Sequence, residues 1–316
     1  MSAVLARPGG IVCPLATPWS PDGRLDEAVL RDLIDVLVPD LDGLFVLGSS
    51  GELAWLPDDV ADRVARIAVD QVGGRIPVYV GAGDTGGRRT LDRVARLADV
   101  GADYVVLAAP FYYAVDSEAA IIDHFATVAD AASAPIVLYN IPQNTHRPLT
   151  PGAVRALAVH PRIAGMKDSA GDWFAFEEFL AARSEGFSVM QGREQMAAIS
   201  LWSGADGVIS AVANLAPRLL RALAEALRAE RPRAEVLALQ ATISDLAGVF
   251  AQGEWLAGLK GTLQILGWPV GDPGRPIPPL DPDGRAAVGR ILATPAIARW
   301  LMGPRAGADD GMEADR

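Results

Sequence analysis

Of the 28 basic residues in this 316-residue chain only two are lysines, Lys167 and Lys260. Arginine stays protonated, whereas a lysine can lose its proton when desolvated and then attack a carbonyl carbon. Lys167 closes the apolar run RIAGMK and is followed by Asp168 and Ser169. A neutral amine there would add to the ketone of a 2-oxo acid such as pyruvate. The product is an iminium, an electron sink that lets a bond at the neighbouring carbon break or form. Biased codon usage also leaves few lysines in a chain, so the reading depends on what else accompanies the amine.

Two further segments supply matching groups. Gly48-Ser49-Ser50-Gly51-Glu52 follows the apolar run GLFVL. Gly48 and Gly51 let the backbone turn tightly with its N–H groups exposed, and Ser49 and Ser50 add hydroxyl donors, which together make a receptor for a carboxylate. An ordinary Gly/Ser turn has the same composition. The run PIVLYN ends at Tyr139 and Asn140. A phenol held there by Ser49 would move protons during carbinolamine formation, dehydration and the aldol step. The iminium takes the place of a Lewis acid, so this chemistry calls for no metal and no cofactor.

These groups converge only if their runs are strands sharing one rim. Short apolar runs alternate with longer segments of helical period, the pattern of repeated βα units. The strands are expected at Gly10–Pro14, Gly43–Leu47, Pro77–Gly81, Tyr104–Leu107, Ile136–Asn140, Ile163–Lys167, Phe187–Gln191 and Gly207–Ser210. Helices are expected at Leu25–Val38, Asp58–Val72, Thr90–Val100, Ser117–Ala131, Thr150–Val159 and Trp173–Ser184, with Ser117 and the Thr150-Pro151 pair as start signals. Eight units predict an α/β fold, a (β/α)8 TIM barrel with a C-terminal helical extension, in preference to an open doubly wound sheet. The barrel would occupy 1–216, the helical domain 217–302, and an acidic, disordered tail 303–316. In such a barrel the carboxyl ends of the strands carry the reactive groups, so the carboxylate receptor, the phenol and the amine face one mouth.

Other chemistries find less support. Gly81-Ala82-Gly83-Asp84-Thr85-Gly86 matches GxGxxG, with Asp103 about 20 residues on, but it opens the third unit where a dinucleotide fingerprint opens the first. His124, His146 and His160 are scattered, so no metal site is expected. Trp202, Trp255, Trp268 and Trp300 read as core or interface residues. A net charge of −11 without a basic block argues against nucleic acid. One cysteine, Cys13, excludes an intrachain disulfide framework, and the start MSAVLARPGG lacks a signal peptide's apolar core, which points to a cytoplasmic protein. No apolar run is seen to approach the roughly 20 residues of a bilayer span, so no membrane partner is expected.

The motifs in order, GSSGE at 48–52, APFYY at 109–113, YNIP at 139–142, GMKDSAGD at 165–172 and GADGVIS at 204–210, resemble the dihydrodipicolinate synthase and N-acetylneuraminate lyase family of class I aldolases. The similarity runs from about Gly10 to Met302. The resemblance implies a homotetramer or homodimer in which Lys167 forms the Schiff base and Tyr139 is the acid/base. It also implies that Ser49 relays protons, that Ser50 holds the pyruvate carboxylate, and that Tyr112 reaches the active site of an adjacent subunit. Gly192 and Ile209 match positions lining the pyruvoyl pocket.

Departures bear on the second substrate. Asn144 stands where dihydrodipicolinate synthases carry an arginine two residues after YNxP, although Arg147 lies nearby. Sialic acid lyases carry acidic residues after the turn that Gly192 begins and a serine after strand eight, where this chain has Arg193, Glu194, Gln195 and Ala211. Only Glu194 retains an acid. The expected activity is therefore a pyruvate-dependent aldolase acting on a 2-oxo-3-deoxy sugar acid or 4-hydroxy-2-oxo acid. The alternatives are a dehydratase of a 2-oxo-3-deoxy sugar acid, a dihydrodipicolinate synthase-like condensation, and a sensor that binds a 2-oxo acid without turnover.

Overall fold

The computed structural model describes residues 7–303. Eight parallel strands close a barrel in sequence order: β1 (Gly10–Pro14), β2 (Gly43–Val46), β3 (Val78–Gly81), β4 (Tyr104–Ala108), β5 (Ile136–Asn140), β6 (Ile163–Asp168), β7 (Ser188–Gln191) and β8 (Gly207–Ile209). β8 pairs back onto β1. The runs are apolar on both faces because both are covered. One set, including Val12, Phe45, Tyr79, Tyr104, Val137, Met190 and Ile209, fills the barrel, and the other packs outward against helices.

The helices between strands are α1 (Glu27–Leu37), α2 (Asp58–Val72), α3 (Gly87–Leu97), α4 (Glu118–Ala131), the single turn α5 (Pro142–Thr145), α6 (Pro151–Leu157), α7 (Trp173–Leu180) and α8 (Ala197–Trp202). Their starts are written locally: the side chains of Asp26, Ser117, Thr150 and Asp172 each accept from a backbone N–H in the first turn. α3 begins three residues before the expected Thr90. Its first two turns are tied to the preceding loop by Arg89 and Arg93, which ion-pair with the Asp84 carboxylate.

After β8 come α9 (Pro217–Arg228), α10 (Arg233–Ala247), α11 (Trp255–Ile265), α12 (Pro282–Leu292) and the short α13 (Pro295–Ala298). α9 packs on α8 and β1, in the place of an eighth outer helix. The helical run Arg233–Ala251 does reach a bilayer span's length and apolarity, 19 residues at mean hydropathy 1.3, contrary to the sequence reading. Its apolar residues serve the interior, with Val236, Ile243 and Leu246 buried. The segment after α11 returns to the barrel mouth, where Trp19 N–H donates to Val270 O at 2.9 Å. The expected acidic tail, from residue 304 on, lies outside the described residues.

Candidate active site

Parallel register brings the central pair together. Tyr139 on β5 pairs directly with Lys167 on β6, and Asn140 with Asp168. Alternation along a strand sends the first pair into the barrel and the second outward. Lys167 is 4% exposed, and its Nζ donates to the Tyr139 hydroxyl at 3.2 Å. The nitrogen also lies 4.3 Å from the Tyr139 ring centroid and 5.3 Å from that of Phe45. No carboxylate of the described residues stands within ion-pair distance of it. The amine is thus buried among rings and a phenol, without a counter-ion.

Behind it, the Asp168 carboxylate accepts from Asn140 Nδ2 at 2.6 Å, and Asn140 Oδ1 accepts from Leu149 N–H at 2.9 Å. Burial pushes the Asp168 carboxyl up to about 6, against the opposing pull of the Asn140 hydrogen bond. Asp168 Oδ2 and Arg193 Nε are both buried without a hydrogen-bond partner. Gly192 N–H donates to Asp168 O, and a Cβ at Gly192 would stand 2.8 Å from that oxygen and 3.1 Å from Lys167 Cε while overlapping Ser169 Oγ. Only glycine leaves the lysine stem its room.

The loop after β2 is bracketed by two non-glycine residues in the left-handed region, Leu47 and Glu52, each at φ 60°. Such residues are strained, so something must hold them. Gly51 permits the tight return, since a Cβ there would meet Leu47 N at 2.8 Å. Glu52 is held by the second lysine. Lys260 on α11 is fully buried, and its ammonium donates to Glu52 Oε1 at 2.9 Å, Thr17 O at 3.0 Å and Asp272 O at 2.9 Å. Trp19 Nε1 and Gly274 N–H donate to the same carboxylate. Burial holds the Lys260 ammonium below the ordinary lysine range, opposed by Glu52. This node, which ties the serine loop to the C-terminal helices, was not read from the sequence. The scarcity of lysine was its one signal.

Above Tyr139 a cavity of about 470 Å³ opens at the carboxyl ends of β2 to β5. Gly48, Ser49 and Asn144 line it. Ser50 is buried beside them, and the Ser49 and Ser50 hydroxyls make no hydrogen bond within the described residues. The expected Ser49 to Tyr139 bond is therefore not formed; the hydrogen bond at the phenol oxygen comes from Lys167 Nζ. Ile209 lies in the barrel interior beside Met190 and Tyr139. Glu194 does not line the cavity; its carboxylate accepts from Ser210 Oγ at 3.2 Å and Ala211 N–H at 3.0 Å. Arg147 is ion-paired with Asp116 outside the cavity.

Tyr112 is not brought to Lys167 within the chain; it is 71% exposed and packs edge-on against Tyr113. Trp255, read from the sequence as core or interface, instead lines the cavity with Trp55 and Phe111. Among the described residues no three His, Cys, Asp or Glu side chains are grouped to hold a metal ion.

The family model described as the dihydrodipicolinate synthetase family matches residues 7–294. A protein of Halobacterium salinarum (strain ATCC 29341 / DSM 671 / R1), named as an uncharacterized DapA-like lyase, is 36% identical over 285 residues, covering 90% of this chain and 93% of that protein. A 4-hydroxy-tetrahydrodipicolinate synthase of Xanthomonas campestris pv. campestris is 39% identical over 220 residues, 69% of this chain and 72% of its own. Among solved structures, YagE is a prophage protein of the dihydrodipicolinic acid synthase family from E. coli K12, crystallised in complex with pyruvate. It matches with a TM-score of 0.85 at 32% identity, covering 90% of this chain and 97% of its own.

Proposed function

This chain belongs to the dihydrodipicolinate synthetase family and is an enzyme of its lyase type, and from that premise we propose that it is a pyruvate-dependent aldolase working through a Schiff base on Lys167. The observation that carries the reading is the Lys167 Nζ to Tyr139 hydroxyl contact at 3.2 Å, in a buried amine with no carboxylate partner. An amine so placed is free to attack, and the group hydrogen-bonded to it is a proton carrier.

In the cleavage direction the Lys167 amine adds to C2 of the 2-oxo acid to give a carbinolamine. Tyr139 donates a proton to the departing water, leaving an iminium and a phenolate. The phenolate takes the C4 hydroxyl proton, and the C3–C4 bond breaks. Its electron pair moves to C3 and neutralises the iminium as an enamine, while C4 leaves as an aldehyde. C3 then takes the proton from Tyr139, and water hydrolyses the new iminium to pyruvate and free amine, the proton released returning to the Tyr139 phenolate. The unpaired hydroxyls of Ser49 and Ser50 and the N–H groups of their loop are the receptor for the pyruvate carboxylate. Gly192 and Ile209 shape the pocket round the lysine stem. Tyr112, exposed in the single chain, is assigned to the site of a neighbouring copy in a homodimer or homotetramer.

Incubation with pyruvate, borohydride reduction and peptide mass spectrometry test the proposal. A reduced pyruvyl adduct confined to Lys167, and lost in Lys167→Ala, is expected. Folded protein that yields no adduct refutes the Schiff base.

A further inference from the structure

We infer that the second substrate is an uncharged aldehyde carrying an aromatic or branched apolar group, so that the aldol is a 4-hydroxy-2-oxo acid with that group at C4. The inference rests on the pyruvate aldolase reading and names the partner of the same site.

The cavity over Tyr139 is walled by Leu53, Trp55, Phe111, Ile141, Trp255 and Ile277. No arginine, lysine or histidine lines it among the described residues. Two of its polar side chains are already committed: the Thr145 hydroxyl donates to backbone oxygens at Ile141 and Arg147, and Glu52 is neutralised by Lys260. Ser49 belongs to the carboxylate receptor. Besides Tyr139 and the indole N–H groups of Trp55 and Trp255, only Asn144 and Glu254, both exposed at the rim, remain to meet a second substrate.

The opposite wall, toward β7 and β8, offers no substitute. The Glu194 carboxylate there is occupied by Ser210 and the Ala211 N–H. A polyhydroxylated aldehyde would set several hydroxyls against rings and methyl groups, each losing its water without a partner. A carboxylate-bearing aldehyde would find no cation in the cavity wall: Arg147 is held outside by Asp116, and Arg193 packs at Gly171 beside Asp168 rather than lining it. An aromatic or branched aldehyde instead buries its apolar surface against Trp55, Phe111 and Trp255 and leaves only its carbonyl to be met, by Tyr139.

The test is a steady-state panel at saturating pyruvate with benzaldehyde, D-glyceraldehyde and succinic semialdehyde, run beside the borohydride adduct assay on the same preparation. Benzaldehyde is expected to exceed both others in kcat/KM by about tenfold or more. Trp255→Ala and Phe111→Ala should each raise the benzaldehyde KM about tenfold in protein that still forms the adduct. Equal or better turnover of D-glyceraldehyde or succinic semialdehyde overturns the inference, as does adduct-forming enzyme that turns over no aldehyde, or two variants with unchanged KM. Absence of the adduct itself refutes the aldolase reading, and the inference falls with it by a separate readout.

Discussion

Replacing Lys260 by methionine removes an ammonium whose three N–H donors are all used inside the protein, on Glu52 Oε1, Thr17 O and Asp272 O at 2.9 to 3.0 Å. The side chains of the pair are 0% and 1% exposed, so water cannot replace the lost partner. The variant leaves the Glu52 carboxylate with only the Trp19 and Gly274 donors, a buried charge without a counter-charge. Breaking such a pair from one side costs about 3–5 kcal/mol. That is a large share of the roughly 5–15 kcal/mol that holds a typical domain folded. Urea titration followed by tryptophan fluorescence measures the loss, with Trp19, 5.5 Å from the ammonium by its ring centroid, among the seven reporters. Adding Glu52→Gln should return part of the loss, because it removes the stranded charge; a coupling of about 0.5–3 kcal/mol is expected from the double-mutant cycle. Glu52 also ends the strained serine loop, so Lys260→Met should raise the KM for pyruvate. A loss below about 1 kcal/mol, the range of an exposed ion pair, would refute the reasoning.

Tyr139→Phe should lower kcat by about 10²–10⁴, the usual contribution of a positioned acid/base, as read by pyruvate release; an unchanged kcat removes the phenol from the relay. Because the folded state holds the Asp168 carboxyl at about 6 against an ordinary 3.8, folded protein binds more protons than unfolded between these values. Stability from this group is thus fully present below pH 4 and lost as pH rises through 6, by up to about 3 kcal/mol. Urea titrations across that window should show the slope in wild type relative to Asp168→Asn; parallel curves would contradict it. Gly192→Ala crowds Lys167 Cε and should slow adduct formation at least about tenfold, with a stability cost of about 1–3 kcal/mol. Asn144→Arg puts a cation at the cavity rim and should raise kcat/KM for succinic semialdehyde about tenfold; no gain would mean that the rim does not select the aldehyde.

The barrel was legible because a parallel strand buried on both faces is a continuous apolar run, and each run here stops at a residue with a turn or a polar head. β1 and β5 begin and end where the residues predict. Tyr139 and Lys167 could be placed at one mouth for the same reason, since both close their runs, although only the pairing of β5 with β6 makes them neighbours. What escaped the sequence depends on contacts between distant segments. Glu52 and Lys260 are 208 positions apart, and nothing local to either marks the other. Trp255 starts a helix whose own pattern looks like core, and it reaches the cavity only because the segment following α11 returns to Trp19 and sets that helix across the mouth. The single turn at Pro142–Thr145, which carries Asn144 to the rim, is too short for a period to reveal.

The two lysines show how one residue type is put to opposite uses by its surroundings. Lys260 is matched donor for acceptor and charge for charge, so its nitrogen has no proton to spare and no lone pair within reach of a ligand. Lys167 is nearly as withdrawn from water, yet its surroundings are two rings, one of them a phenol, and the nearest acidic side chain in the sequence, Asp168, points to the other face of the strand. A carboxylate beside Lys167 would have fixed it as a strut like Lys260. Sending that carboxyl outward to Asn140, and keeping it buried, leaves the amine without a carboxylate partner, as the proposed attack on a carbonyl carbon requires. Glu52 is neutralised from the far side: it borders the cavity above Tyr139, and without Lys260 its charge would stand uncompensated at the mouth. On the proposed mechanism the ion pair therefore serves the Lys167 amine by keeping the Glu52 carboxylate occupied on the far side.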